Sequence, residues 1–317
     1  MNELRSDPQR TSRVINILMD WYNDNKRDGV LKDADVPESR PPADVKIGSY
    51  EHIMFITFTV SIDYMRDAAQ LWDSARRTWE DEETRWVFYP DKVAKRTMDM
   101  NEPAELVNAL AKHKLSKRRD KDAKKIWGPV ALSFNRLFEG DPRKLFADLS
   151  YDALEIYCQM CKRNSYHKHF PYLSGPKILP LWIRMLHTEA GIKFKNLDKV
   201  PLPMDIHVAR STITTGCLVG RFEGKFNDFA VKAQEAWREA CQHTKYYPLQ
   251  LDEPLWNLSR LGCSKRRDEE EECPRKHECR LADFCTANDP SAIIKINATK
   301  RNVSIRTRYP QSRGDVS

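Results

Sequence analysis

The sequence predicts a nearly all-α protein of one or two domains. Helical periodicity runs through most of the 317 residues, as in residues 12–26, where Leu18 and Trp21 share one apolar face. Only the tail from residue 291 alternates apolar and polar residues, which predicts a small β-hairpin. A hydrophobic content of 40% is enough to bury a substantial core in a chain of this length.

The predicted helices follow one another along the chain. Residues 27–48 are rich in Pro, Gly and Asp and are expected to form a linker. Residues 50–80 are expected to form two helices, because the polar break Ser61–Asp63 interrupts an otherwise continuous pattern. Further helices are predicted over 100–115, 122–138, 151–164, 226–242 and 251–262.

Charge and hydropathy limit the possible partners and compartments. A net charge of +7 and a pI near 8.9 favour an acidic partner, with nucleic acid the first candidate. No apolar stretch is long enough to span a bilayer, so no membrane association is expected. Residues 1–13 lack the apolar core of a signal peptide, which favours a reducing intracellular location, cytoplasmic with the nucleoid or nuclear.

A run of charged residues at 116–125 has two interpretations. The favoured one is a solvated helix face or loop. The other is a patch that contacts phosphate groups, since the run carries six Lys and Arg side chains.

Four cysteines near the C-terminus predict a metal site. Cys263, Cys273, Cys279 and Cys285 are separated by nine, five and five residues, whereas structural zinc sites usually pair their ligands with two to four intervening residues. An iron–sulfur cluster is therefore the first choice, and structural zinc or unligated thiols remain as alternatives. Several Lys and Arg residues between the ligands suit a negatively charged cluster. The acidic run 268–272 is expected to be a solvent-exposed bulge.

A second pair, Cys158 and Cys161, is followed by His167 and His169 and could form a zinc site. The pair lies in an apolar helical stretch, so small core residues are the favoured interpretation. Cys217 and Cys241 are likewise expected to be buried thiols.

Two short segments of the sequence form a common pattern with the four cysteines. Residues 172–179 read YLSGPKIL and residues 201–210 read PLPMDIHVAR. Together with the four-cysteine segment, in this order, they resemble the helix-hairpin-helix DNA glycosylase superfamily, in particular its endonuclease-III-like branch with a [4Fe–4S] cluster. This sequence departs from the pattern at Leu173, where the family often has a glycine, and in the longer middle cysteine gap.

The resemblance implies a two-lobed helical fold. A six-helix barrel lobe with the hairpin is expected over 49–199. An iron–sulfur lobe is expected to join 1–48 to 200–317, with the basic tail at its end. The active site is expected in the groove between the two lobes, and the protein is expected to be a monomer.

The resemblance also implies catalytic residues. Lys177 is expected to attack the sugar and form a Schiff base, and the plain alternative is a surface lysine that contacts phosphate. Asp205 is expected to be the essential carboxylate, and its plain alternative is a helix N-cap. His207 and Arg210 are expected to have structural roles.

The DNA-binding residues implied by the resemblance come from two turns. Leu173, Ser174 and Gly175 are expected to approach the DNA backbone at the hairpin. Ser61, Ile62 or Tyr64, from the loop after an early helix, is expected to fill the gap left by an extruded base.

The implied function is a DNA glycosylase that excises a damaged or modified base from double-stranded DNA by base flipping, with associated AP-lyase activity. The implied cofactor is a [4Fe–4S] cluster on Cys263, Cys273, Cys279 and Cys285, with structural zinc as the alternative. A monofunctional glycosylase that activates water, and a non-catalytic metal-stabilised DNA-binding module, are the rival functions.

Overall fold

A computed structural model describes residues 3–64, 66–97, 104–161, 165–266, 273–297 and 299–310. The predicted acidic bulge at 268–272 lies outside these residues. The described chain is mostly helical, as the sequence predicts. Its α-helices are α1 (Pro8–Asn23), α2 (Tyr50–Ser61), α3 (Ala68–Glu80), α4 (Pro90–Arg96), α5 (Ala104–Lys112), α6 (Arg119–Asp122), α7 (Gly128–Phe138), α8 (Pro142–Asp148), α9 (Ala153–Met160), α10 (Ile178–Thr188), α11 (Ile206–Thr214), α12 (Phe226–Cys241) and α13 (Asp252–Leu261).

The described residues also form one antiparallel sheet with strand order β1–β2–β4–β3. The last two strands of the sheet form the predicted C-terminal hairpin, which is thereby confirmed. The first two strands were not predicted. The sequence of the second strand contains two glycines and three charged residues, so its own residues give little indication of a strand. Pairing with the neighbouring strands stabilises its conformation. The strands are β1 (Glu3–Arg5), β2 (Val219–Lys225), β3 (Ile293–Asn297) and β4 (Asn302–Thr307).

The chain divides into two compact units. Residues 37–200 form one unit, and residues 1–36 and 201–317 form the other. The second unit joins the two ends of the chain through its sheet, since β1 pairs with β2 over Glu3–Arg5. The assignment of these units as a barrel lobe and an iron–sulfur lobe stays a prediction.

The unit that joins the two chain ends has its core between helices and sheet. Side chains of α1, α11, α12, α13 and β4 form one buried cluster. Burial of this many apolar side chains is the main stabilising contribution to such a unit. The largest members are Trp21, Phe222, Phe229 and Trp237.

The unit formed by residues 37–200 has an aromatic core. Phe58 of α2 stacks on Trp127 at a centroid distance of 4.9 Å, and the Trp127 indole donates to the Val87 carbonyl at 2.8 Å. Phe134 packs on Phe170 at 4.6 Å. The contact between Phe134 and Phe170 holds the hairpin that precedes α10 against α7, because Phe170 lies at the start of that hairpin.

The predicted break between two early helices is confirmed. Helix α2 ends at Ser61 and α3 begins at Ala68. The Asp67 carboxylate caps α3 by accepting a hydrogen bond from the Gln70 N–H at 2.8 Å. A local N-cap residue therefore defines where the second helix begins.

The second half of the charged run 116–125 belongs to a continuous helical stretch. Helix α6 leads directly into a wide turn of π-helix at Ala123–Trp127, and α7 follows. Asp122 in this run is 1% exposed, so the prediction of a wholly solvated face is wrong at this residue. No described helix combines the length and the apolar character needed to cross a bilayer.

Candidate active site and cysteine loop

Residues 170–177 form the predicted turn before α10. The backbone N–H groups of Leu173, Ser174 and Gly175 donate to carbonyl groups within the same turn at 2.8, 3.0 and 2.9 Å. The side chains of Leu173 and Ser174 are buried. A Cβ atom on Gly175 would lie 2.9 Å from the Tyr172 carbonyl oxygen, so close packing inside the turn explains the glycine. The predicted contacts of these three residues with DNA stay predictions.

Lys177 lies at the N-cap position of α10, directly after the turn. Its ammonium nitrogen is 3.1 Å from the Asp63 carboxylate, in the loop between α2 and α3. The Lys177 side chain is 31% exposed and that of Asp63 is 13% exposed. The reactive group proposed from the sequence is thus accessible in part, and an acid that the sequence did not indicate holds it.

The three candidate gap-filling residues differ in exposure. Ser61 is 1% exposed at the end of α2, and its hydroxyl donates to the Phe58 carbonyl at 2.7 Å. Ile62 is also buried. Tyr64 is partly exposed and packs edge-on against Tyr172, with 6.1 Å between ring centroids. Tyr64 is therefore the candidate whose ring reaches the surface.

Asp205 lies at the N-cap of α11. One carboxylate oxygen accepts from the backbone N–H groups of His207 and Val208 at 2.8 and 2.9 Å. The N-cap interpretation is confirmed, and the catalytic role stays a prediction. The two roles are compatible because the cap uses one of the two carboxylate oxygens, and the residue is only half-buried.

His207 and Arg210 follow Asp205 on α11. The His207 ring lies 3.3 Å from the buried Ser259 hydroxyl and packs on Trp256, which fits the predicted structural role. Burial lowers the pKa of Arg210, while negative charge on Cys263 and Asp205 opposes that shift. Arg210 therefore lies within electrostatic reach of both the candidate carboxylate and the first cysteine of the loop.

The four predicted ligands, Cys263, Cys273, Cys279 and Cys285, line one cavity of about 400 Å³, a volume that includes space open to solvent. The Thr214 hydroxyl also donates to the Cys263 sulfur at 3.2 Å. The structure thus brings together residues from a stretch of more than twenty positions.

The thiols of Cys279 and Cys285 are shielded from water. Burial raises the pKa of Cys279 to about 12 and that of Cys285 to about 11, and the neighbouring cysteines act in the same direction. A cluster of thiolates at this place would need a positive charge between or beside them. Arg266, Arg275 and Lys276 also line the cavity.

Among the described residues, no group of three or more His, Cys, Asp or Glu side chains is arranged to hold a metal ion. Cys158 and Cys161 are half-buried at the end of α9. Cys217 and Cys241 are buried, as predicted.

Sequence reasoning missed three residues near Lys177. These are Asp63, Arg118 and Tyr172, which come from separate parts of the chain. The sequence signals were the polar break Ser61–Asp63, the charged run around Arg118 and the hairpin segment that begins at Tyr172, and none of them indicated which side chains would meet.

A family model matches the C-terminal part of the chain. Residues 177–289 match a family model described as AGOG, N-glycosylase/DNA lyase, over a little more than a third of the chain. The match indicates an enzyme with N-glycosylase and DNA lyase activity, which makes DNA its partner, and it supports the DNA glycosylase superfamily. No curated protein matches the chain significantly. The endonuclease-III-like branch stays a prediction.

Proposed function

We propose that the protein removes a damaged or modified base from double-stranded DNA and then cleaves the strand through a Schiff base on Lys177. One observation carries the proposal: the segment that matches N-glycosylase/DNA lyases begins at Lys177 and contains Asp205. The partial exposure of the Lys177 side chain supports it, because the amine must reach a sugar carbon.

In the proposed reaction, the neutral Lys177 amine bonds to C1′ of the sugar while the C1′–N bond to the base breaks. The base leaves with the bonding electrons and takes up a proton. Opening of the sugar ring gives a Schiff base, loss of a C2′ proton expels the 3′ phosphate, and water then releases Lys177.

Asp205 has two tasks in this proposal. Its negative charge stabilises the positive charge that develops on the sugar as the base departs. It also accepts a proton from the attacking amine or from water. The N-cap bonds to His207 and Val208 fix the carboxylate, so little reorganisation is needed during the reaction.

The substrate base must leave the duplex before this chemistry can occur, because C1′ and the glycosidic bond are shielded in stacked DNA. We propose that Tyr64 enters the gap. The protein would act as a monomer, in the compartment of the cell that holds its DNA.

We also propose a [4Fe–4S] cluster on Cys263, Cys273, Cys279 and Cys285. The shared cavity and its cationic lining at Arg266, Arg275 and Lys276 support this choice, since a cluster with four thiolates is net negative. Such a cluster would supply a covalent cross-link for the loop. A structural zinc ion is the alternative.

A monofunctional glycosylase is the second candidate, and the Lys177–Asp63 ion pair favours it. An ammonium group held by a carboxylate at 3.1 Å is not a nucleophile until it loses a proton. In this case water would attack, and the product would be an intact strand with an abasic site.

A panel of duplexes, each with one oxidised, alkylated or deaminated base, tests the function. The protein is expected to release one class of base and to nick the strand without added alkali. An alkali-dependent nick would identify the monofunctional enzyme. Binding to DNA without release of any base would contradict both enzymatic proposals and favour a binding module.

A further inference from the structure

Three chain segments meet beside Lys177, within the unit formed by residues 37–200. They are the α2–α3 loop, the turn before α6 and the 170–177 hairpin. Arg66 of the first segment donates to the Leu115 carbonyl at 2.5 Å and to the Lys114 carbonyl at 3.4 Å. These bonds tie the α2–α3 loop to the turn that leads into the charged run.

At this junction a guanidinium group lies against two phenol rings. The central carbon of Arg118 is 5.2 Å from the Tyr64 ring centroid and 5.5 Å from that of Tyr172. The two rings contact each other with planes inclined by 69°. Such cation–π contacts fix the plane and position of the guanidinium.

The Arg118 side chain is held in place by the buried carboxylate of Asp122. Its Nε and Nη2 atoms lie 2.9 and 2.8 Å from one Asp122 carboxylate oxygen. The other oxygen accepts from the backbone N–H groups of Lys117 and Arg118 at 3.1 and 2.9 Å. Burial of a carboxylate is costly unless it is paired in this way. A charged side chain in a merely solvated run would not have such an anchor.

The cluster nevertheless remains open to solvent. The Arg118 side chain is 26% exposed, and Tyr64 and Tyr172 are both partly exposed. Lys121 is exposed nearby, with its nitrogen 5.9 Å from the Tyr172 ring. Burial alone would raise the pKa of Tyr172, but bonds and charge from Lys121 and Arg118 lower it. Two cations thus surround a ring pair at the surface.

The same loop connects this cluster to the reactive amine. Asp63, which pairs with Lys177, precedes Tyr64 in the chain. The loop that carries the Tyr64 ring therefore also carries the ion-pair partner of Lys177.

Fixed aromatic rings and a planar guanidinium are the groups on which single bases stack in nucleic-acid complexes. An extruded base leaves its former partner unpaired, and a side chain that enters the gap can unstack that partner from a neighbouring base and kink the duplex. We propose that Tyr64, Arg118 and Tyr172 form a stacking surface for an unpaired nucleobase of the DNA, with Lys121 at the adjacent phosphate. This inference rests on the proposed function and extends it, because it adds a contact to a base that is not excised.

The test uses a duplex with a tetrahydrofuran abasic-site analogue opposite 2-aminopurine, whose fluorescence reports stacking. The full-length protein is expected to quench this fluorescence on binding. Arg118→Ala and Tyr172→Ala are expected to weaken binding by about 5- to 150-fold and to restore the fluorescence, which is the range that one stacked base contributes. Tyr172→Phe keeps the ring and loses only the hydroxyl that bonds Lys121 and Arg118, so quenching is expected to remain.

Two further variants serve as controls. Arg118→Lys keeps the charge without the planar group, so binding at low salt is expected to persist while quenching is lost. Arg96→Ala removes a comparable contact in the same unit, over the Trp86 ring at 4.7 Å, and is expected to change neither readout.

If Arg118→Ala fails to fold because Asp122 loses its partner, the Tyr172→Ala and Tyr172→Phe pair decides the question. Quenching and affinity that remain at the wild-type level in Tyr172→Ala would overturn the inference. The tetrahydrofuran sugar cannot form a Schiff base, so the readout does not depend on Lys177. Stacking without base release on any lesion would support this surface and remove the proposed function instead.

Discussion

Lys177 and Asp205 occupy equivalent places in the chain, each at the residue before a helix, yet they are held in different ways. Asp205 caps its own helix through backbone groups two and three residues away. Lys177 makes no side-chain cap bond, and its amine instead pairs with Asp63, 114 positions earlier. One group is fixed by local chain geometry, whereas the other depends on the placement of a distant loop.

The difference suggests that the two side chains are positioned independently of each other. Asp205 keeps its position wherever α11 is intact, because the cap forms with the helix itself. The Lys177 amine instead depends on Asp63 of the α2–α3 loop for its ion pair.

The largest expected effect is that of Asp205→Asn. Asparagine keeps an oxygen that can cap α11, but it lacks the negative charge, so base release should fall on the order of 10²–10³-fold. Binding to DNA and the thermal midpoint should remain at wild-type values. Asp152→Asn is the matched control, since Asp152 caps α9 through two backbone N–H groups and has no proposed chemistry. The rate of base release under single-turnover conditions would be measured for both variants.

The second prediction concerns the cysteine loop. Cys279→Ser is expected to reduce bound iron and inorganic sulfide from about four of each per chain to a small fraction, with loss of brown colour. Cys158→Ser, a half-buried thiol outside the cavity, should leave both contents unchanged. A colourless wild-type protein with one zinc ion per chain would contradict the cluster.

A smaller effect is expected from Asp63→Asn. Loss of a partly buried ion pair removes about 1 kcal/mol that favours the ammonium form, so Schiff-base formation near neutral pH should rise about five-fold. The control is Asp81→Asn, which breaks a Lys112 contact of 2.7 Å elsewhere in the same unit. An unchanged or lower rate would show that Asp63 mainly orients the amine.

The smallest effect is on stability. Asp205→Ala removes the cap and should lower the free energy of unfolding by about 1 kcal/mol relative to Asp205→Asn. Lys177→Ala removes no cap and should cost less. Urea denaturation of the three variants measures the difference. Equal losses would contradict the distinction between local and distant restraint.

Much of this molecule can be predicted from local sequence patterns. The break between α2 and α3, the N-cap at Asp205 and the hairpin of β3 and β4 each follow from neighbouring residues, and the structure has all three. The turn before α10 also follows from its own composition.

Other features depend on residues far apart in the chain. Strand β1 has three residues and gains its conformation only by pairing with β2. The partner of Lys177 and the stack on Arg118 join separate segments, so no local pattern indicates them. The charged run is the clearest case, because its composition predicts solvent exposure while its central acid, Asp122, is buried beneath Arg118.

The account depends most directly on which atom becomes bonded to DNA. The protein would be reacted with a duplex that carries a natural abasic site, reduced with borohydride, digested, and sequenced by mass spectrometry. The account predicts one cross-linked peptide with the sugar on Lys177, and no adduct in Lys177→Gln. An adduct on another lysine or on the chain terminus, or one of equal yield in Lys177→Gln, would contradict it.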